Sequence, residues 1–236
     1  MNNSQNTVSP KEQLMRRRAL EVAAELKARQ ALKDCFFWMT ECTKTVDEQS
    51  ENPYKPFPRE WYIKALVDVL ANEDVVLIEK SRSVMGSWTV AAYCAWRAFN
   101  YPATRVLFQS KDEDRSINLI HYVKTLWEQS LPQLQLRWPV RRHPREQACS
   151  EFELANGSVF KGVVGHPDKV RSEHPTIYVA DEAAYMPEFE DAWAVAAGSR
   201  VPKMIALSTV ELGGLYELCN QDSDWCDWPD YGRSAA

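Results

Sequence analysis

The chain has 236 residues, of which 45% are hydrophobic and 26% are charged, and its formal net charge is -5. Such a chain can bury the core of one full α/β domain. Its acidity argues against a histone-like binder, because non-specific DNA affinity comes from Lys and Arg neutralising phosphates. The sequence has no run of 18 apolar residues, and its first ten residues lack signal-peptide features, so we expect an intracellular protein with no membrane partner.

The apolar pattern predicts helices and strands in alternation. Residues 10–42, with Leu14 and Leu20 among apolar residues at helical spacing, predict a long amphipathic helix, and the prolines of 43–58 predict a linker-like bend. Beyond the bend we expect helices at 59–70, 86–99 and 112–129, strands at 75–78, 105–109, 177–180 and 204–207, and a hairpin of 151–154 with 159–164 around Asn156-Gly157. This alternation implies an α/β fold with a mostly parallel central sheet covered by helices on both faces, plus an N-terminal helical arm.

The charged residues are distributed unevenly along the chain. Residues 11–34 contain seven Lys or Arg against four Asp or Glu, and residues 137–145 contain four arginines and no acid. After Lys203, only Arg233 is basic. This asymmetry permits local contact with a polyanion.

The cysteines and histidines show no metal-binding pattern. There is no C-x-x-C pair, and the four histidines lack metal-ligand spacing. We therefore expect no structural zinc, and reduced, mostly buried cysteines. The six are Cys35, Cys42, Cys94, Cys149, Cys219 and Cys226.

Residues 80–88, K-S-R-S-V-M-G-S-W, follow a predicted strand and open a predicted helix, as a phosphate-binding loop does. The pattern G-x-x-x-x-G-K-[ST] supplies backbone amides and one cation to the phosphates, and a hydroxyl to Mg²⁺. Aligning Ser87 with that hydroxyl places Gly86 at the lysine position and Met85 at the second glycine. The cation then stands at the start of the loop, as Lys80. The alternative is a strand-to-helix turn with exposed cations.

The segment T-I-Y-V-A-D-E (176–182) predicts a buried strand that ends in two carboxylates, Asp181 and Glu182. In phosphoryl transfer the first can hold Mg²⁺ through water or Ser87, and the second can polarise the attacking water. A single Asp-Glu pair is usually a solvated turn. This one follows four apolar strand residues, 94 positions after the loop serine, which favours the catalytic interpretation.

A third strand, M-I-A-L-S-T-V (204–210), ends in Ser208 and Thr209. Hydroxyls at that position are suited to sense the γ-phosphate beside the carboxylates. The alternative is a serine that caps a helix or a turn.

With these three elements in order, the chain resembles the ATPase domain of the large terminase subunit, the DNA-packaging motor of tailed bacteriophages. Members of that family often carry K-S-R-x-x-x-x-[ST]-W, with the cation at the start of the loop, and 80–88 fits that form. The resemblance covers roughly residues 50–210. Its other segments are P-F-P-R-E-W-Y-I (56–63), V-L-F-Q-S-K-D-E-D (106–114), A-N-G-S-V-F (155–160), 168–184 and L-S-T (207–209).

The resemblance implies a P-loop NTPase of the ASCE or recA-like type that uses ATP and Mg²⁺. It implies that Glu182 is catalytic together with Lys80 and Arg82, and that Ser87 and Asp181 hold the metal. The residues implied to bind ATP are Lys80, Ser81, Arg82, Ser83, Val84, Met85, Gly86, Ser87 and Trp88.

Two further roles follow from the resemblance. Ser208 and Thr209 would couple hydrolysis to movement. An arginine would reach the nucleotide of a neighbouring subunit, or contact DNA, and the candidates are Arg171, Arg141, Arg142 and Arg145.

The chain departs from the family pattern in several places, among them Gly86 and Ser83, which replace bulkier or amide residues common in the loop. The family often has an adenine-reading glutamine ahead of the loop, whereas residues 56–70 contain none, so Trp61 or Tyr62 either stacks on the base or belongs to the core. Large terminases continue into a metal-dependent nuclease domain, which we do not expect here. We therefore divide the chain into an arm and linker at 1–50, a P-loop ATPase core at 51–215 and an acidic tail at 216–236.

The resemblance thus implies an ATP-hydrolysing motor that drives double-stranded DNA into the procapsid. Expected partners are double-stranded DNA, the procapsid portal and the small terminase subunit, with a homo-oligomeric ring when assembled and a monomer in isolation. The expected location is the bacterial host cytoplasm, and transiently the procapsid.

Two alternative functions remain open from the sequence. One is a helicase-like DNA-remodelling ATPase, which should contain a second recA-like domain. The other is a non-catalytic DNA-binding scaffold with a decayed P-loop, against which the acid pair and Ser87 argue.

Overall fold

The computed structural model describes residues 9–47, 50–81, 84–142, 151–164 and 167–209. The helices are α1 (Pro10–Ala31), α2 (Cys35–Glu41), α3 (Trp61–Asn72), α4 (Gly86–Asn100), α5 (Glu113–Glu128), α6 (Pro132–Arg137), α7 (Asp168–Glu173) and α8 (Phe189–Gly198). The strands are β1 (Thr45–Val46), β2 (Tyr54–Lys55), β3 (Val75–Lys80), β4 (Arg105–Ser110), β5 (Val140–Arg142), β6 (Glu151–Leu154), β7 (Val159–Val163), β8 (Ile177–Asp181) and β9 (Lys203–Thr209).

Seven of the described strands form one sheet in the order β3-β9-β8-β4-β7-β6-β5. The first five in this order run parallel, while β6 and β5 pair antiparallel at the far edge. The predicted mostly parallel sheet is therefore confirmed. The predicted hairpin is also present between β6 and β7, where Gly157 adopts a φ of 83° that favours glycine.

Side chains of the parallel strands alternate between two hydrophobic cores. Ile177 and Val179 of β8 pack in a core shared with α1 to α6, whereas Tyr178 and Ala180 pack with α7 and α8. All five residues of β8 are buried, as expected of a strand with helices on both of its faces. The helical covering predicted from the sequence is therefore confirmed.

The prediction of a single amphipathic helix over residues 10–42 is wrong. The chain breaks after α1, and Asp34 begins α2 by accepting a hydrogen bond of 2.9 Å from the Phe37 backbone N–H. Leu14 and Leu20 are 50% and 72% exposed, so α1 does not pack on the core along its whole length. Helical spacing predicted the helix, but tertiary contacts decide which of its residues are buried.

The segment predicted as a linker-like bend packs on the domain. It contains a short antiparallel ladder of β1 with β2, and Phe57 is 2% exposed. The Thr43 hydroxyl also donates a hydrogen bond of 2.6 Å to the Leu126 carbonyl in α5. Phe57 and Thr43 therefore hold the described parts of this segment against the helices of the larger core.

Outside residues 43–58, four of the helices and strands given above were not predicted: α6, β5, α7 and α8. The first three have between three and six residues, too few for a periodic pattern to be recognised. Within the described ranges, no helix has the length and apolar character needed to cross a bilayer. Cys35, Cys42 and Cys94 are buried free thiols as predicted, and the other three cysteines lie outside the described residues.

Candidate active site

The three predicted motifs meet at one edge of the sheet. β3, β9 and β8 are neighbouring parallel strands, so their carboxyl ends lie together. In the sheet register Lys80 lies opposite Thr209, and Asp181 lies opposite Leu207. Ligands of open α/β sheets bind outside the carboxyl ends of the strands. This edge is therefore where the structure brings the loop, the acid pair and the Ser-Thr pair together.

The side chain of Lys80 crosses the first residue of α4. A Cβ atom added to Gly86 would lie 2.6 Å from Cδ of Lys80 and 3.4 Å from its Cε. The first distance is far below the contact distance of two carbon atoms. The glycine at the usual lysine position thus makes room for the lysine that comes from the start of the loop.

The start of α4 has free backbone donors and a strained residue. Met85, at the second-glycine position, has a φ of 57° and a ψ of 22°, a left-handed conformation that glycine adopts more easily. Its N-cap residue forms no side-chain hydrogen bond to this 15-residue helix, so among the described residues that cap does not compete with an anion for the first amides. Val84 and Met85 lie in the loop as predicted, while Arg82 and Ser83 lie outside the described residues.

Asp181 is joined directly to the helix start. The Ser87 hydroxyl donates a hydrogen bond of 3.0 Å to Oδ1 of Asp181, which also accepts one of 3.1 Å from the Glu182 backbone N–H. Burial raises the pKa of Asp181 above its usual value, and the charge of Lys80 and the hydrogen bond from Ser87 oppose that rise. A hydroxyl and a carboxylate at this separation are the hard oxygen donors that Mg²⁺ prefers, so the residues present fit this ion.

Glu182 is held by two cations that the sequence analysis did not assign to the site. Its carboxylate forms ion pairs with Arg115 and Lys111, and Nζ of Lys111 lies 3.1 Å from its Oε2. Glu182 itself has a left-handed backbone with a φ of 58°, a rare conformation that clusters at functional sites. Both cations follow the carboxyl end of β4, the neighbour of β8. The sequence signal for them is K-D-E-D-R, directly after a strand that ends at the same edge.

The Ser-Thr pair contacts the turn that follows Glu182. Ser208 is fully buried, and its Oγ accepts a hydrogen bond of 3.3 Å from the backbone N–H of Ala184. The hydroxyl of Thr209 lies 3.0 Å from that of Tyr185. The end of β9 is therefore attached to the segment that carries the second carboxylate.

The aromatic candidates lie near α4 in different environments. The ring of Trp88 stacks on Tyr122 at a centroid distance of 3.9 Å and meets Phe57 edge-on. Trp61 is 51% exposed at the first position of α3, and its ring contacts that of Tyr62. Trp88 is thus engaged in packing, and the part of Trp61 and Tyr62 in base binding stays a prediction.

The candidate arginines do not lie together. Arg141 and Arg142 pair with Glu153 and Glu151 across β5 and β6, with N–O distances of 3.0 and 3.4 Å. β5 and β3 are the two outermost strands of the sheet. Six strand spacings of about 4.8 Å separate them, so they lie roughly 29 Å apart. These two arginines are therefore remote from the carboxyl end of β3 in their own chain, and Arg145 lies outside the described residues.

Arg171 lies on α7, where it lines a groove of about 560 Å³ between α7 and α8. The other lining residues include Pro167, Asp191 and Val195. Arg171 is exposed, and within the described ranges it forms no ion pair. Its guanidinium is thus free to contact another molecule.

A strand-loop-helix unit on β3, with an acid pair two strands away on β8, defines a P-loop NTPase type of fold. No family model matches the chain, and no curated protein matches it. Among solved structures, the large terminase of bacteriophage HK97 matches with a TM-score of 0.54 and 12% identity, over 75% of this chain and 37% of that one.

Two further solved structures match with lower TM-scores. The large terminase ATPase domain of Thermus phage P74-26 has a TM-score of 0.49 and 15% identity, over 70% of this chain and 69% of that one. The large terminase of another thermophilic bacteriophage, in complex with ADP, has a TM-score of 0.47 and 13% identity, over 64% of this chain and 39% of that one.

The likeness to the HK97 protein establishes a shared fold. The resemblance predicted from the sequence is thus confirmed at the level of fold. The chain spans 37% of the length of the HK97 protein.

The contact between Lys80 and Gly86 gives a prediction about ligand affinity. Gly86→Ala should displace the lysine side chain and weaken binding of a fluorescent ATP analogue about tenfold, the scale of one lost phosphate-stabilising charge. Thermal unfolding should show no loss of stability, because alanine favours a helix more than glycine does. Gly198→Ala is the matched control, since a Cβ there meets nothing within 4 Å. Equal affinities for the two variants would contradict the role of Gly86.

Proposed function

We propose that this chain is the ATP-hydrolysing motor part of a phage large terminase, which drives double-stranded DNA into the procapsid. The observation that supports it best is the Lys80 side chain over Gly86, beside the hydrogen bond between Ser87 and Asp181. A decayed loop would have no reason to keep the lysine side chain over the helix start and the hydroxyl hydrogen-bonded to the carboxylate. The HK97 likeness supports the same proposal through the fold.

The residues at the sheet edge divide the work of phosphoryl transfer. The ammonium of Lys80 and the first amides of α4 would bind the phosphates, with Arg82 as a second cation. Ser87 and Asp181 would hold Mg²⁺, which when bound neutralises charge on the β- and γ-phosphates. Because Lys80, Ser87 and Asp181 already lie at the start of α4, these three residues would need little reorganisation during the reaction.

Glu182 would orient the attacking water. Its carboxylate is engaged with Arg115 and Lys111 in this structure, and the exchange of one of these partners would leave an oxygen for the water molecule. The two cations would then determine when Glu182 is available. Ser208 and Thr209, which contact the adjoining turn, would couple the nucleotide state to movement.

Assembly would complete the site. None of the three candidates that the structure describes lies at the carboxyl ends of β3, β9 and β8, since Arg141 and Arg142 lie at the opposite side of the sheet and Arg171 is exposed on α7. We propose a homo-oligomeric ring in which Arg171 of one subunit reaches the nucleotide of the next. The portal, the small terminase subunit and double-stranded DNA are the proposed partners, in the cytoplasm of the bacterial host.

The first prediction from this function concerns the relocated cation. Lys80→Ala should lower ATP turnover more than about tenfold, because one phosphate-stabilising charge is lost. Turnover would be measured by phosphate release with and without double-stranded DNA. Lys44→Ala, at an exposed position, is the control and should keep wild-type turnover. Wild-type turnover in Lys80→Ala would refute the assignment.

Variants of the acid pair should separate nucleotide binding from hydrolysis. Glu182→Gln keeps the size of the side chain but cannot align water as a carboxylate does, so ATP should bind and stay unhydrolysed. Asp181→Asn should instead weaken Mg²⁺-dependent binding of the nucleotide. The measurements are ATP-analogue affinity with and without Mg²⁺, and single-turnover hydrolysis. Normal hydrolysis by both variants would mean that the end of β8 is only structural.

The arginine in trans should make activity depend on association. Such an arginine contributes about 10³ to 10⁵ in rate, so turnover per subunit should rise with protein concentration. Arg171→Ala and Glu182→Gln, each expected to be inactive alone, should regain turnover when mixed, because Arg171 of the Glu182→Gln subunit reaches the intact site of its neighbour, while Arg18→Ala should stay active alone. A flat concentration dependence over the range where subunits associate would contradict the ring, and no gain on mixing the two variants would exclude Arg171.

A further inference from the structure

Tyr185 adds a side-chain link between the end of β9 and the ion pairs of Glu182. It ends the short 3-10 turn Ala183–Tyr185 that follows Glu182. Its hydroxyl lies 3.0 Å from the Thr209 hydroxyl at the end of β9. Its ring lies beneath Lys111, whose Nζ is 5.2 Å from the ring centroid, within the range of a cation–π contact.

Lys111 continues this link to the carboxylate. Its ammonium lies 3.1 Å from Oε2 of Glu182 and contacts the Tyr185 ring at the same time. A long lysine side chain has many rotamers, and a contact on two sides restricts them. The position of the ammonium, and with it that of the Glu182 carboxylate, therefore depends on where the tyrosine ring lies.

Packing alone does not explain the tyrosine. Its side chain is 37% exposed, so it does not fill the core. A phenylalanine would provide the same ring to Lys111, whereas the hydroxyl has one described partner, the side chain of Thr209. The hydroxyl thus attaches the ring to β9 and adds a connection that the ring contact does not require.

We propose that Tyr185 is a positioning residue that sets the orientation of Glu182 through Lys111 and makes that orientation depend on Thr209. This inference rests on the proposed ATP hydrolysis and adds a route from β9 to the second carboxylate. A displacement of Thr209 moves the ring of Tyr185, the ring moves Lys111, and the ion pair between Lys111 and Glu182 changes. Arg115, which pairs with the other carboxylate oxygen, is not attached to this route.

The test compares variants that cut the route at its two ends. Tyr185→Phe keeps the ring under Lys111 and removes the hydroxyl, and Thr209→Val removes the other hydroxyl at nearly the same volume. Each should lower kcat for ATP three- to tenfold and leave the affinity for mant-ATP within twofold. Because both variants cut one connection, the double variant should lose no more than either single variant. Thr209→Ser keeps a hydroxyl and should recover most of the loss.

Controls separate this role from a structural one. Tyr54→Phe removes a hydroxyl from an exposed tyrosine on β2 and should leave kcat unchanged. Thermal unfolding of all variants shows whether folding is affected. If the wild type is active and kcat of both Tyr185→Phe and Thr209→Val lies within twofold of the wild-type value, this inference is overturned and the proposed function is not. Additive losses of kcat in the double variant would have the same meaning. Absence of turnover in the wild type would overturn the proposed function and this inference with it.

Discussion

The site depends on the passage of the Lys80 side chain over Gly86. Because Gly86 has no Cβ, a lysine from the end of β3 can pass the first residue of α4 and bring its charge toward Asp181. A lysine at position 86, in the helix itself, is then unnecessary. The residue at that position has to be small so that the Lys80 side chain can pass. The substitution of lysine by glycine and the appearance of a lysine at the start of the loop are therefore two aspects of one steric constraint.

The strand order places the other groups of the site beside the contact of Lys80 with Gly86. β9 lies in the gap between β3, which leads into the loop, and β8, which ends in Asp181. The last two residues of β9, Ser208 and Thr209, carry hydroxyls. The hydrogen bond from Ser87 to Asp181 spans this gap. The left-handed conformations of Met85 and Glu182 adjoin it on either side, and such conformations cost free energy that the surrounding packing has to offset. The strained residues thus coincide with the groups that would act on the nucleotide.

Sequence patterns predicted the parts of the fold that local chemistry determines. The apolar runs of β8 and β9, the hairpin at Asn156-Gly157 and the relocated cation could all be recognised from residue order. Contacts that depend on which strands are neighbours could not be recognised in the same way. Lys111 and Arg115 reach Glu182 because β4 lies beside β8, and the exposure of Leu20 results from how little of α1 the domain covers. In both cases the deciding information is tertiary.

A crystal structure of the protein with Mg²⁺ and a non-hydrolysable ATP analogue would show directly whether Lys80 binds the phosphates from the start of the loop. We expect Nζ of Lys80 to lie within about 3 Å of a β- or γ-phosphate oxygen, the distance of a charge-assisted hydrogen bond. We also expect the Lys80 side chain to cross Gly86 in that complex. A nucleotide bound elsewhere, or bound at α4 with Lys80 turned to solvent, would contradict this role of Lys80.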